Sequence, residues 1–494
     1  MAMKKLKSVI AVLICITMLP VLPALSSAAY DSEIFINEPA SYASTLGITE
    51  EALTDLVDYL YESVELCRSP INLSRYGINY ADGANANIIR DLLMENPKSF
   101  NVKGINYNVI NQTITSFSVF YKADLATFRE RVAECDTVAA ELTEGITPDM
   151  PEVIKALLIH DRLVVHCQYS LDYEENDYNA YGALIGEKAV CQGYTRAFTY
   201  LLNYVGIKNY SCPSDELAHV WNIVVLDGVK YHVDVTWDDP LIDVPGRVGH
   251  WNLLLSSDAL YYSYPDKHIA YDYDTSPVST DYDGFFWQNS QAQFCLLNGT
   301  IYYIDHAAKT ICSYDYVTNS SQVLLDLGEY YWPANATSYW TTSYARLATY
   351  KGVLYYSLPE GVYTLDPVTL VSEPFFLPDM SAHNYFSVYG FDVKDGVVTC
   401  LGAATPNLRP TTEMDFYTYR FEGGEIDEPV VKGDMDGDGT ITVADALVVL
   451  RAAARLVPVT PEILEAGDVD GDGAITVADA LAILRVAAKL IPSL

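Results

Sequence analysis

Gly433–Leu456 and Gly467–Leu490 are near-copies of one unit, GDMDGDGTITVADALVVLRAAARL and GDVDGDGAITVADALAILRVAAKL, 34 residues apart and identical at 18 of 24 positions. Each opens with Asp at loop positions 1, 3 and 5, then has Gly at 6, an apolar residue at 8 and Asp at 12. Carboxylates at that spacing converge on one hard cation, and the Gly permits the sharp turn between them. Asp434, Asp436, Asp438 and Asp445 are therefore candidate ligands of one calcium ion, with the carbonyl of Thr440 at position 7. Asp468, Asp470, Asp472 and Asp479, with the carbonyl of Ala474, are the candidates for a second. Eight carboxylates crowded into two loops repel one another without a cation, so calcium is expected to fold this segment.

The loop spacing is that of an EF-hand, but two departures matter. FEGGEIDEPVVK, before the first loop, carries no helical apolar stripe, and position 12 is Asp where sensor EF-hands use Glu. The helices that follow, DALVVLRAAARL and DALAILRVAAKL, do carry apolar stripes. Half EF-hands in tandem, with Asp at 12 and a basic residue late in each helix, resemble a type I dockerin over residues 433–490. The resemblance implies an all-α, calcium-binding module that docks onto a cohesin module of a scaffolding protein, with the rest of the chain as cargo. Loop positions 10 and 11, which in such families help choose the cohesin, are here Val443–Ala444 and Val477–Ala478. Two equivalent copies suggest two equivalent binding orientations.

The opposite end fits export. Residues 1–29 have a basic start (Lys4, Lys5, Lys7), an apolar run from Val9 to Leu19, and small residues at Ser26–Ala29. That pattern is a secretory signal cleaved near Ala28 or Ala29. Pro20 and Pro23 cut the run below the ~20 residues a membrane span needs, so no span is expected once the signal is removed, and the protein should be secreted. Its formal charge of −35 makes nucleic acid or an anionic membrane a poor partner. Of the nine cysteines, Cys15 leaves with the signal; the others form no CxxC pair, so disulfides are not the organising principle.

Between these ends the texture changes three times. Residues 30–145 alternate helical and strand patterns: Thr49–Cys67 is an amphipathic helix with a Thr cap and acidic first turn, INYNVINQTITSFSVFYK reads as strands around a turn, and Ala123–Leu142 as a further helix. This stretch is expected to be a small α+β subdomain. Residues 146–265 hold the motifs discussed next. Residues 280–425 are Tyr-rich alternating strands, with repeated units LNGTIYYID, YKGVLYYSL and VKDGVVTCL whose turn glycines are Gly299, Gly352 and Gly396. Their spacing resembles β-propeller blades, although three units are too few to close a propeller, so a propeller-like and an irregular β domain both stay open. Tyr330, Tyr331, Trp332, Tyr339 and Trp340 are expected to pack between sheets rather than grip a ligand. Residues 426–494 are linker and calcium module.

The chemistry-bearing segment is AVCQGYTRAFTYLLNYVGI, Ala189–Ile207. Apolar positions from Tyr194 to Val205 recur at helical spacing and Gly206 ends the run, which puts Cys191 at the start of a buried helix. There the free amides and the positive end of the helix suit a nucleophilic sulfur. Downstream, His219–Asp234 alternates around Asp227–Gly228, a type I′ hairpin signal. If those two residues are the loop, Leu226 pairs with Val229 and Trp221 opposes Asp234. His219 shares the face of Trp221, so His219 and Asp234 are diagonal neighbours within reach of an imidazole–carboxylate hydrogen bond. Nucleophile at a helix start, base at a strand start and orienter on the next strand make a Cys–His–Asp arrangement. His232 shares the face of Asp234 but lies inside the hairpin. A zinc site from Cys191, Cys212, His219 and His232 competes poorly, since no pair has zinc-ligand spacing.

Ala189-Val-Cys-Gln-Gly-Tyr194, His219-Val-Trp-Asn222 and Tyr231-His-Val-Asp-Val-Thr-Trp-Asp238 resemble, in order, the motifs of the bacterial transglutaminase-like superfamily, a papain-like thiol fold, over roughly 150–245. The resemblance implies Cys191 as nucleophile, His219 as general base and acid, and Asp234 as the residue that holds the imidazole. The oxyanion would be met by the Cys191 amide and an upstream side chain, for which Tyr181 is a candidate. The expectation is a multidomain α+β protein with a papain-like transglutaminase core, a Tyr-rich β domain and a dockerin. It would carry a cysteine peptidase or amidase acting on peptide or amide bonds into a cellulosome of polysaccharide-degrading partners, with no cofactor for catalysis. A protein-crosslinking transglutaminase and a non-catalytic structural or carbohydrate- or protein-binding subunit stay open as alternatives.

Overall fold

The computed structural model describes residues 39–263 apart from 240 and 242, 273–328, 344–377, 387–403 apart from 395, and 441–491 apart from 458 and 460. Shorter described pieces are 332–335, 338–340, 414–420, 426–427 and 432–435. The expected signal segment, with Lys4, Lys5, Lys7 and Cys15, lies outside the described residues, as do Tyr330 and Tyr331. Among the described residues no helix is long and apolar enough to cross a membrane. The described chain forms two compact units, one of residues up to 96 with 102–121, the other of 97–101 with everything from 122 onward.

In the first unit the helix Glu50–Glu65 starts where Thr49 accepts a hydrogen bond from the Ala52 amide, with Glu50 and Glu51 in the first turn. Those are the capping oxygen and the dipole-matched acids that a helix start favours. Leu53, Leu56, Val57, Leu60 and Val64 recur at three- and four-residue spacing and are buried. They pack with Ile89 and Leu93 of the helix Ala84–Met94 and with Ile114, Phe117 and Val119. Those last three lie in a strand, Thr113–Tyr121, that pairs on one side with Val102–Ile110 and on the other with Ile71–Asn72. Each buried aliphatic side chain of this kind contributes about 1.5–3 kcal/mol. The helix read at 123–142 is present as Leu125–Leu142, capped by Asp124, and it clusters with the second unit.

In the second unit the helix Cys191–Tyr204 buries Tyr194, Ala197, Phe198, Leu201 and Leu202. It ends before Gly206, whose φ of +79° is the left-handed conformation that stops a helix. Beside it runs an antiparallel sheet in the order Lys208–Ser214, His219–Leu226, Val229–Val233, Leu253–Leu255. Asp227 and Gly228 have φ of +49° and +83°, the two positive values a type I′ turn requires. The ladder runs Leu226↔Val229, Val225↔Lys230, Val224↔Tyr231, Ile223↔His232, Asn222↔Val233, the register expected from the sequence.

Among its described residues the Tyr-rich region contains three four-stranded antiparallel meanders, beginning at Cys295, Leu347 and Ser387, each with its strands in chain order. Gly299, Gly352 and Gly396, with φ of +77°, +79° and +77°, each turn the first strand of a sheet into the second. The sequence repeat is thus one meander per unit. Trp332 is buried, its indole N–H donating to the Val388 carbonyl at 2.7 Å, so this aromatic is a packing residue. Of Tyr339 and Trp340 only the strand Ser338–Trp340 is described. Near the C-terminus, Ala446 and Val449 of the helix Val443–Ala453 pack against Ala480 and Ile483 of Val477–Ala487. These are the same positions of the two repeats, 34 residues apart.

Candidate active site

Cys191 is the first residue of its helix, and Tyr194 makes the first helical bond, to the Val190 carbonyl at 3.1 Å. The amides of Cys191, Gln192 and Gly193 are those that a helix start leaves without an intrahelical acceptor. Gly193 is dictated by packing, since a Cβ there would lie 2.3 Å from the Asp177 carbonyl oxygen. That carbonyl also accepts the Val190 amide at 2.9 Å, so the 170–178 segment is pinned against the helix start. The Asp177 carboxylate holds the segment in shape by accepting from the Ser170 hydroxyl at 2.5 Å and the Glu174 amide at 2.7 Å.

His219 opens its strand. Its Nε2 lies 2.7 Å from Oδ2 of Asp234, whose side chain is fully buried. The other Asp234 oxygen accepts the Trp237 amide at 3.2 Å, capping a single helical turn, and the Asp234 amide donates to the Asn252 carbonyl at 3.0 Å. The Cys191 side chain acts on the same imidazole and favours its charged form. With Nε2 occupied by Asp234, Nδ1 is the nitrogen left for the sulfur. Burial disfavours charge on His219, but the Asp234 charge and hydrogen bond, followed by Cys191, overcome it and push the imidazole up to about 10. Trp221 and Trp237 both stack on His219, with ring centres 5.6 and 5.2 Å away and planes inclined by 26° and 27°. Indole faces favour a cation between them.

Helix and strand are bolted together by residues to which the sequence reading gave no role. The Thr195 hydroxyl lies 2.8 Å from the Cys191 carbonyl and 3.0 Å from that of Val220. Asn222 Nδ2 donates to Thr199 Oγ1 at 2.9 Å and to the Thr195 carbonyl at 3.3 Å. Their signal in the sequence is a polar residue at a buried helix or strand position, which burial allows only when it is hydrogen-bonded.

The competing candidates take other roles, and of the expected site residues Tyr181 resolves differently. His232 is structural: its Nδ1 accepts the Trp221 indole N–H at 3.0 Å and its Nε2 faces Ser257 Oγ at 3.0 Å. Cys191, Cys212, His219 and His232 do not form a metal-ligand cluster among the described residues. Tyr181 is committed elsewhere, its hydroxyl donating to Glu134 at 2.7 Å and its ring packing on Phe100 under Arg131. Tyr169 lies in a strand that pairs in parallel with Lys188–Ala189, which sets it against Ala189, two residues before Cys191. Its phenol is raised by burial and then by the charge of Cys191.

In the second C-terminal loop, carboxylate oxygens of Asp468, Asp470 and Asp472 lie within 4.8 Å of one another. Asp470 accepts a hydrogen bond from the Asp472 amide that would lower its carboxyl, yet slight desolvation and the charges of Asp479, Asp472 and Asp468 leave it raised. Ala474, at position 7, donates its amide to Asp472 at 2.9 Å. Asp479 spans loop and helix: one oxygen accepts the Val469 amide at 3.1 Å, the other the Thr476 amide and hydroxyl at 2.8 and 2.9 Å. Asp445 repeats this with Met435 at 2.8 Å and Thr442 at 2.7 and 2.8 Å. Asp434 is buried beside it, and Asp436, Asp438 and Thr440 lie outside the described residues.

Residues 432–485 match the family model of the dockerin type I domain. No curated protein matches the chain. Among solved structures, one described as the crystal structure of a TGase is similar at 14% identity, covering 27% of this chain and 44% of that one, with a TM-score of 0.21. That likeness is too slight to establish a shared fold.

Proposed function

For a chain that carries a type I dockerin domain, and so belongs to a cellulosome-type assembly whose dockerins bind cohesin modules, we propose that the cargo is a thiol acyl-transfer enzyme, chiefly a hydrolase. Cys191 is the nucleophile, His219 the general base and acid, and Asp234 the residue that orients the imidazole. The observation that carries this reading is the buried 2.7 Å contact of His219 Nε2 with Asp234, together with Cys191 at a helix start and its effect on the charge of the same ring.

In the reaction His219 takes the Cys191 thiol proton as the sulfur attacks an amide carbonyl carbon, and the negative oxygen that forms is met by the Cys191 amide. His219 gives its proton to the leaving amine as the C–N bond breaks, which leaves a thioester. Water then adds to the thioester carbonyl while His219 takes its proton, releasing a carboxylic acid and restoring the sulfur. Tyr169 replaces Tyr181 as the upstream side chain for the oxyanion, a role supported by its position against Ala189 and its response to the charge on Cys191. The two duplicated loops each hold one calcium ion through the ligands given above, and the N-terminal segment directs secretion.

Hydrolysis is preferred to cross-linking because joining requires a second pocket that admits an amine and excludes water, and the residues around His219 are a short hairpin. Purified protein should release free amine or ammonia from peptide and amide substrates, and Cys191→Ala should abolish that release. Incorporation of a fluorescent amine faster than hydrolysis would make the enzyme a transferase.

A further inference from the structure

Away from the residues of the proposed active site, His160, Asp161 and His250 form a fully buried cluster. His160 Nδ1 lies 2.8 Å and His250 Nε2 3.0 Å from the same oxygen of Asp161, Oδ1. All three residues can offer ligand atoms within 4.8 Å of one another. We propose that they are the protein ligands of a structural transition-metal ion, zinc in the first instance, distinct from the calcium of the dockerin.

The hydrogen bonds behind the cluster carry the argument. His250 Nδ1 faces the Ser290 carbonyl at 3.1 Å. A carbonyl only accepts, so Nδ1 carries the proton and Nε2 of a neutral His250 presents a lone pair to Asp161 Oδ1. Lone pair against carboxylate oxygen at 3.0 Å is repulsive unless a cation or a second proton lies between them. His160 meets the same oxygen through Nδ1, while its Nε2 is turned toward Asp238 Oδ2 at 3.2 Å without the alignment of a hydrogen bond. Two fully buried carboxylates, Asp161 and Asp238, must be neutralised. Two imidazoliums would do so, and so would one divalent ion with both imidazoles neutral.

The divalent ion explains more of the geometry. Both ring nitrogens then point their lone pairs inward beside a carboxylate oxygen, while their far sides face a backbone carbonyl and a carboxylate. The carbonyl behind His250 is an outer-shell partner of the kind that orients a metal-bound histidine. Asp161 Oδ2 is itself fixed by the Phe294 amide at 2.6 Å, and Asp238 by the amide and side chain of Asn252 at 3.0 Å. Two imidazoles and one carboxylate suit zinc or its first-row neighbours, whereas calcium takes oxygen ligands only. Complete burial makes the role structural. The ion would clamp the helix Glu152–His166 to the segment before Leu253–Leu255, and its outer shell reaches Ser290 and Phe294 at the edge of the Tyr-rich region.

The test uses full-length protein refolded in excess calcium, to keep the dockerin loops filled, with or without zinc, and then freed of loose metal by gel filtration. Elemental analysis should find about one zinc per chain, and the melting temperature should rise by several degrees with zinc. Cys191→Ala should keep the metal, and His250→Gln and Asp161→Asn should lose it. Should those two variants fail to fold, wild-type protein refolded with cobalt decides the matter alone: intense visible absorption of nitrogen-ligated cobalt supports the site. Wild-type protein with no retained zinc, no cobalt absorption and an unchanged melting temperature would overturn it, leaving two buried protons in the place of the ion.

Discussion

The indole of Trp237 stacks on the imidazole of His219, ring centres 5.2 Å apart and planes inclined by 27°. Trp237 follows Asp234 closely and its amide donates to that carboxylate, so one short turn supplies both the anion that pairs with the imidazole and a π-face that covers it. Trp237→Ala should strip one face and lower the alkaline limit of activity by about 0.5–1 pH unit, since a partly buried cation–π contact is worth about 0.5–2 kcal/mol. The pH–rate profile of amide hydrolysis checks this. An unchanged limit would mean that the stack positions the ring without favouring its charge.

Asp234 should matter more. His219 is pushed up from 6.5 to about 10, so its acid form persists through the neutral range and activity should fall only on the far alkaline side. Asp234→Asn removes the neighbouring charge and should bring that limb down by about 1–3 units, with a rate loss of about a hundredfold or more. Stability follows with a definite sign. The folded value lies above the unfolded one, so the stabilisation is complete below pH 6.5 and is lost as pH rises through about 10. Between those limits wild-type protein should lose more melting temperature than His219→Gln.

Tyr169 and Tyr181 separate cleanly by substitution. Tyr169→Phe should lower kcat about tenfold to a hundredfold with little change in KM, as expected for a donor used mainly in the transition state. Tyr181→Phe should leave kcat nearly unchanged. Equal effects of the two would remove Tyr169 from the oxyanion site.

Gly193→Ala places a methyl 2.3 Å from the Asp177 carbonyl oxygen, where neither backbone can yield cheaply. A loss of about 1–3 kcal/mol is expected in denaturant unfolding, together with slower alkylation of Cys191 as the helix start shifts.

The hairpin register was legible because a type I′ turn at Asp227–Gly228 fixes every partner by counting, and the ladder from Leu226↔Val229 to Asn222↔Val233 follows from it. Cys191 at a helix start was equally local, being set by the apolar spacing after Tyr194. Tyr169 was not legible, since it is brought alongside Ala189, two residues before Cys191, by a two-residue parallel pairing that leaves no periodic trace. Tyr181, nearer in sequence, faces Glu134 instead. The meeting of Asp161 with His250, 89 residues away, has no local signature either. In the dockerin domain the repeat made both helices legible, because each Asp at position 12 also caps its helix start.

Calcium should control docking. Chelation of full-length protein should abolish cohesin binding and reduce helical circular dichroism, and calcium should restore both. Asp434→Ala with Asp468→Ala should mimic chelation while leaving amide hydrolysis intact. Cohesin binding that survives chelator would contradict the calcium ligand set.

The most direct test of the central claim is the rate at which each cysteine of the folded protein reacts with iodoacetamide at pH 7, read by peptide mass spectrometry. Cys67 is the internal control: like Cys191 it is partly accessible, and no histidine occurs in residues 1–121. The Cys–His–Asp account requires Cys191 to react at least about tenfold faster than Cys67, and His219→Ala to erase the difference. Equal rates at the two cysteines, or a fast Cys191 indifferent to His219, would contradict it.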